Sequence, residues 1–566
     1  MMLNDAPLFA LASPDNAMEI LPNSPDGLNI TVKTDITDNL PVIEVSAGNL
    51  HNIVDQAEKT LSQSGRHFQA SGLLATVQTC PTSGETAIVP VSQPSLMRDL
   101  SRLAAWKRFD KRKDAFVAID PPEKYVRILF ASTDYKHLPI LRGIARQPYL
   151  RPDFSLVTEA GYDAETARYG VFNAAEYTVP ANPTMDNAKS ALAVLSEVIE
   201  ECAFDAECDR AAALAAMLTA ATRPSLRTAP AFLINAHVQG SGKSFLARLI
   251  ASLSTPQSVP ATAFTNDSDE MRKLLIALLL KSPAVINFDD MSGDIVPSET
   301  LKAVITEAFI CGRLLGVSKD VICSTCALIL FSGNNIEAIK DMARRVLCIQ
   351  LDPRCETPTA REFKRPNIEM ELQGNRAKYV TAALTIIRAW IVSGRQGVNC
   401  TPLASFSEWT ELCRKPLIWL GMADPAQRFY EQLKSDPAAE LLGRVLLGWK
   451  NQFGTSPTLV RDVVIWASQT GRTSDFADAL MEAAEKQGTI DPRKLGCWLK
   501  KHAGRIFDGM KFIKHGDSRD RVEWKLQIEP SLSVAPVLTV IDQPPAEFSS
   551  NETVDPLAAL DAMEGF

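Results

Sequence analysis

The chain has 566 residues, 46% of them hydrophobic and 22% charged, and a net charge of −8. That is room for roughly three or four ordinary globular cores, and it excludes a protein coated in nucleic acid, so contact with an anionic polymer has to be local. No apolar run approaches the roughly 20 residues that cross a bilayer, and the first residues lack both a basic n-region and a strong apolar h-region, so neither a membrane partner nor a secretory signal is expected.

Residues 1–45 are rich in Pro, Asn and Asp, bury little, and predict a disordered N-terminus. From Leu50 a helical period begins, with Ile53, Val54 and Ala57 on one face; short strand-like runs follow, then a helix from about 95 to 109. Residues 46–133 therefore read as a small α+β module, of winged-helix type in one arrangement. Pro and Gly punctuate 134–184, a connector of loops and hairpins. A helical pair over about 187–222 opens an α/β core at 185–355, and a helical region covers 356–454. A compact module spans 455–528. The last 38 residues, 529–566, carry seven acidic side chains and no Lys or Arg, the composition of a disordered acidic tail. The 11 cysteines form no framework and suit a reducing cytoplasm; Cys323 and Cys326 lack the second ligand pair that a zinc site needs.

The core carries the chemistry. The apolar run "AFLIN" leads into "AHVQGSGKS", in which His237 stands where the first glycine of a phosphate-binding loop is usual. Gln239, Gly240, Ser241 and Gly242 supply a small-residue loop whose backbone N–H groups can approach phosphate. Lys243 can reach the β- and γ-phosphates of ATP, Ser244 can ligate Mg²⁺, and the helix that begins here and includes Phe245 points its positive end at the anion. Three elements follow in order. "AVINFDD" ends in Asp289, assigned to Mg²⁺, and Asp290, assigned to the attacking water. "ALILFSGNN" ends in Ser332, Asn334 and Asn335, with Asn334 placed to orient water or sense the γ-phosphate. "DMARRVLCIQL" sets Arg344 and Arg345 before a final strand, where an arginine given to a neighbouring subunit can stabilise phosphoryl transfer. With "VPATAFT" these runs predict a five-stranded parallel sheet of P-loop type.

The order of "GSGKS", "VINFDD", "FSGNN" and "DMARRVLCIQL" resembles the AAA+ ATPases of helicase superfamily three, and more narrowly the helicase half of phage- and plasmid-type primase–helicases. "LPILRGIARQPYLRPDFSLVTEAGYD", "LTAATRPSL" and "WLKKHAGRIFDGMKF" are similar too, so the likeness runs over about 45–528. It implies a ring, expected as a homo-hexamer, moving 3′ to 5′ along single-stranded DNA during replication of a mobile element, with ATP and Mg²⁺ and a primase or polymerase partner. The missing first glycine and the Asp–Asp pair depart from the commonest patterns and bear on turnover more than on nucleotide binding.

In "CGRLLGVSKDVICST" polar residues interrupt two apolar runs, the signature of a β-hairpin. In the similar helicases a hairpin here lines the channel, which makes Lys319, then Arg313, the expected phosphate contacts. Between Arg493 and Lys525 ten Lys or Arg stand against four Asp or Glu. Lys500, Lys501 and Arg505 share the outer face of a helical pattern, and Lys511 and Lys514 fall in an alternating run with a turn, so a winged-helix-like grip on duplex DNA is expected. Two further readings remain: a AAA+ remodeller or loader that does not unwind, and a nucleotide-gated DNA-binding scaffold.

Overall fold

A computed structural model describes residues 40–314, 319–434, 437–470, 474–518 and 521–528. The expected disordered start lies outside the described residues up to 39, as does the whole expected acidic tail, 529–566. The described residues fall into two compact units, one from 40–64 and 92–137, the other from 65–91 and 138–528.

In the first unit Val42–Val45 pairs in parallel with Ala105–Asp110, which turns back onto Ala115–Ala118. The helices Leu50–Gln63, Gln93–Leu103 and Glu123–Ala131 cover one face, where Ile43 and Trp106 are buried. Two local expectations change here. Residues 42–45 form a strand rather than part of a disordered start. The helix expected to reach 109 stops at Leu103, because Ala104 is extended and the Trp106 indole donates to the Leu100 carbonyl at 3.2 Å. Aromatic residues at 106 and 109 suit a pleated surface, and the partner strand that selects this outcome lies far upstream in sequence, with Val42 opposite Ala105, beyond the reach of local pattern.

The second unit is organised around five parallel strands: β1 Ala231–Ala236, β2 Ala261–Thr262, β3 Val285–Met291, β4 Leu328–Asn334 and β5 Val346–Leu351. They lie in the order β2-β3-β4-β1-β5. The helices Lys243–Ser252, Ser268–Leu279 and Glu299–Thr306 connect them. The central strands are mostly apolar because both faces are covered, with Asn235 and Asn287 as buried polar exceptions; Phe288 and Phe331 stack across β3 and β4 with ring centroids 5.3 Å apart. The sheet is mixed into a larger α/β body: helices Met185–Val198 and Glu207–Thr222 pack beside it, the second buried from Ala211 to Thr222.

The helix Lys243–Ser252 is held at its C-terminal end by a buried cation. Arg376, on helix Arg376–Val392, donates to the Ser252 and Leu253 carbonyls at 2.9 and 2.8 Å, to the Arg146 carbonyl at 3.1 Å, to Gln147 Oε1 at 2.5 Å and to the Tyr177 hydroxyl at 2.7 Å. No carboxylate is among these partners. The charge rests on carbonyl dipoles, two of them at the negative end of a helix.

Residues 437–528 share a separate core that includes Leu446, Trp449, Leu480, Leu495, Phe512 and Trp524. Helix Pro437–Phe453, expected with the preceding helical region, packs here instead, with Trp449 and Phe512 5.0 Å apart. Helix Pro492–His502 is followed by the antiparallel strands Met510–Ser518 and Arg521–Ile528. Among the described residues no helix is long and apolar enough to cross a membrane.

Candidate functional site

The glycine loop joins β1 to its helix at the C-terminal edge of the sheet. Gly240 and Gly242 have φ of +76° and +89°, a region that side-chain-bearing residues rarely adopt. Nothing stands within 4 Å of where a Gly242 Cβ would lie, so the loop opens onto free space. Ser241 is buried and its hydroxyl donates to the Val238 carbonyl at 2.5 Å, which tightens the turn; Gln239 is exposed. His237 fills the place of the absent glycine by pairing with the next strand: its Nδ1 lies 2.8 Å from Asn335 Oδ1, and Asn335 Nδ2 donates to the His237 carbonyl at 3.3 Å.

Lys243 is buried, and its Nζ donates to Asn334 Oδ1 at 2.6 Å. Burial pushes its pKa below the ordinary lysine value, and Asp290 and Asp289 offset part of that. Ser244 Oγ donates to Asp289 Oδ1 at 2.8 Å. The Ser332 hydroxyl donates to the same carboxylate oxygen, and it also accepts the Asp290 N–H at 3.1 Å. A register shift between Phe288 and Met291, with Asp290 at φ +53°, makes this possible: the bulge interrupts pairing with β4, which resumes at Met291–Gly333, and takes the two aspartates out of the regular register. Asp289 is half-buried and Asp290 exposed. The edge thus gathers a cation, hydroxyls and carboxylates over an open glycine turn. Hard oxygens from Ser244 and Asp289 fit a divalent cation of Mg²⁺ type, and the loop N–H groups with Lys243 fit a polyphosphate.

Arg344 and Arg345 lie elsewhere. β5 pairs with β1 from Ala231–Val346 to Ala236–Leu351, so both arginines sit at the N-terminal edge, a full strand length of roughly 17–20 Å from the loop. Arg344 is exposed and pairs with Asp341 at 3.1 Å; Arg345 Nη1 donates to the Asp341 carbonyl at 2.5 Å. The hairpin strands Phe309–Arg313 and Asp320–Ser324 form as an antiparallel pair. Arg313, opposite Asp320, is exposed and Lys319 half-buried, while residues 315–318 lie outside those described. On helix Pro492–His502, Lys500 and Lys501 are exposed, as are Arg505 and Lys514; Lys511 is half-buried.

Sequence reasoning missed a pocket of about 320 Å³ beside the glycine loop. Gly240, Gly242 and Phe245 form one wall, Val198 another, and Arg361 and Phe363 close it from a segment more than a hundred residues downstream. That segment is fixed in place: the Glu201 carboxylate accepts the Lys364 and Arg365 N–H groups at 2.8 and 2.9 Å, and Arg361 donates to the Glu201 carbonyl at 3.0 Å. The Arg361 guanidinium lies over Phe363, 5.3 Å from its centroid, and burial pushes the Cys202 thiol in the same wall up to about 12. Neither periodicity nor a motif marks 361–366; only the contact with Glu201 reveals it.

No protein-family profile and no curated protein matches the chain. Among solved structures, a helicase described as an active SCCmec type IV Cch helicase shares 11% identity over 82% of this chain and 97% of its own, with a TM-score of 0.30. JCV helicase, solved with a bound thiazolopyridine compound, shares 11% identity over 46% of this chain and 71% of its own, with a TM-score of 0.20.

Proposed function

We propose that the chain is an ATP-driven DNA translocase, a helicase in its simplest form, built on an AAA+-type P-loop core. The observation that carries this reading is the convergence of Lys243, Ser244, Asp289, Ser332 and Asn334 on one sheet edge beneath an open, left-handed Gly242 turn. In it, the loop N–H groups and Lys243 hold the phosphates, Ser244 and Asp289 hold Mg²⁺, and Asn334 with Asp290 position the attacking water. Mg²⁺ would neutralise phosphate charge there. The adjoining pocket takes the nucleoside, with Phe245 and Phe363 against the base. Arg344 or Arg345 acts on the nucleotide of a neighbouring copy, since within one copy the whole sheet separates them from it; six copies closing a ring satisfy this. The hairpin carrying Lys319 and Arg313 faces single-stranded DNA, and residues 437–528 form a winged-helix-like grip on duplex through Lys500, Lys501, Arg505, Lys511 and Lys514.

The test is ATPase rate with and without single-stranded DNA, followed by strand displacement on a forked duplex. Stimulation with displacement supports the helicase. Stimulation without displacement means a remodeller or loader, and tight duplex binding with no stimulation means a nucleotide-gated scaffold. Lys319→Ala should keep basal hydrolysis and lose its response to DNA; unchanged unwinding would remove the hairpin from the mechanism.

A further inference from the structure

The first unit carries a surface that none of these roles uses. Its three-stranded sheet buries Ile43 and Trp106 on one face, while Val42, Phe109 and Phe116 on the other are 46%, 45% and 49% exposed. Phe109 and Phe116 face each other across the hairpin, edge to face, with centroids 5.5 Å apart. Three large apolar side chains left in water on one sheet face mark a contact surface rather than scattered exposure.

Charge says what the contact is. The strand and its turn read Lys107, Arg108, Phe109, Asp110, Lys111, Arg112, Lys113, Asp114: five cations against two carboxylates, in a chain whose net charge is −8. Among the described residues none of the five cations forms an ion pair with a carboxylate. The Asp110 carboxylate is engaged within the turn, accepting the Arg112 N–H at 2.9 Å. Lys107 shares the open face with Phe109, beside Glu44 on the neighbouring strand. From Lys107 to Asp110 the strand runs about 10 Å, and the turn adds Lys111 to Lys113 beyond it, a footprint of a few nucleotides.

We propose that the hairpin Ala105–Ala118 binds single-stranded nucleic acid, with bases stacking on Phe109 and Phe116 and phosphates held by Lys107, Lys111, Arg112 and Lys113. Exposed phenyl rings beside unpaired cations suit an unstacked strand, whose bases offer flat faces that a duplex hides. The site needs no nucleotide and shares no residue with the loop at Lys243.

The test uses the full chain without ATP and a fluorescein-labelled oligo(dT), read by anisotropy at several salt concentrations. The double change Phe109→Ala with Phe116→Ala should weaken binding roughly 5- to 150-fold for each base that stacks and leave the salt slope unchanged. Replacing Lys111, Arg112 and Lys113 by Ser should lower that slope by about 2. Phe109→Trp should retain binding, which separates loss of stacking from damage to the fold. Affinities and slopes equal to the parent in both variants would overturn the proposal, and tighter binding of a blunt duplex than of oligo(dT) would overturn the single-strand assignment. Repeating the titration with Lys243→Met separates this site from the ATPase reading, because the hairpin should bind in a chain that does not turn over ATP.

Discussion

Lys243 Nζ and Asn334 Oδ1 stand 2.6 Å apart, joining the helix that follows β1 to the end of β4. The ammonium is thus buried and held by an amide rather than by a carboxylate, so much of its hydration is given up before any anion arrives.

Lys243→Met should abolish ATP binding while leaving the empty protein as stable or more stable. The sign follows from the lowered pKa: the unfolded chain binds this proton more tightly, so the charged lysine opposes folding below its folded pKa, and stability rises as pH climbs from there toward the ordinary lysine value. Thermal melting with and without ATP checks both parts. The variant should lose the ATP-induced upward shift and the alkaline rise together; a large drop in the melting point of the empty variant would show that Lys243 is a structural residue.

Ser332→Ala removes one hydroxyl that donates to Asp289 and accepts from the Asp290 backbone. Losing such an outer partner of a metal ligand commonly costs about 10–100-fold in metal affinity or activity. The Mg²⁺ dependence of hydrolysis should move to higher concentration by that order, with ATP binding measured in EDTA unchanged. An unaltered Mg²⁺ profile would separate Asp289 from the metal.

Phe363→Ala should weaken ATP by about 1–2 kcal/mol, roughly 5- to 30-fold, and leave inorganic triphosphate binding untouched. Phe363 is 48% exposed and outside the main core, so the fold should tolerate the change. Equal losses for ATP and triphosphate would place the nucleoside elsewhere.

Arg344→Ala and Lys243→Met protomers should each be inactive alone, the first by about 10³-fold or more in rate. Mixed together they should recover activity, since some interfaces then pair an intact loop with an intact arginine. A mixture no faster than its parents would mean that Arg344 serves only its ion pair with Asp341.

Lys500→Ser with Lys501→Ser should lower the salt slope of duplex binding by about 1.8 and reduce affinity alike for all sequences. A slope equal to the parent's would remove helix Pro492–His502 from the DNA contact.

Four strands of the central sheet were legible because each is a mostly apolar run flanked by polar residues: "AFLIN" before the loop, "VINF" before Asp289, "LILF" before Ser332, and "VLCIQL" after Arg345. β2 was placed but overdrawn, since only Ala261–Thr262 pairs. The loop residues could be read from spacing alone. What escaped was whatever depends on distant chain: Ser332 bridging the two aspartates through a bulge, His237 pairing with Asn335, and Arg361 and Phe363 brought over the loop by Glu201. The basic hairpin at 105–118 was hidden for the same reason, because a local helical pattern ran into it and the partner strand at Val42 lay in a segment too polar to suggest order.

The clamp at Arg376 gives the loop helix a fixed far pole. Its ten residues span about 15 Å, with Lys243 at one end and the Ser252 and Leu253 carbonyls under a guanidinium at the other. Because the same guanidinium also holds the Arg146 carbonyl, Gln147 and Tyr177, shifting this rod along its axis costs two hydrogen bonds to a buried cation unless the connector residues shift with it.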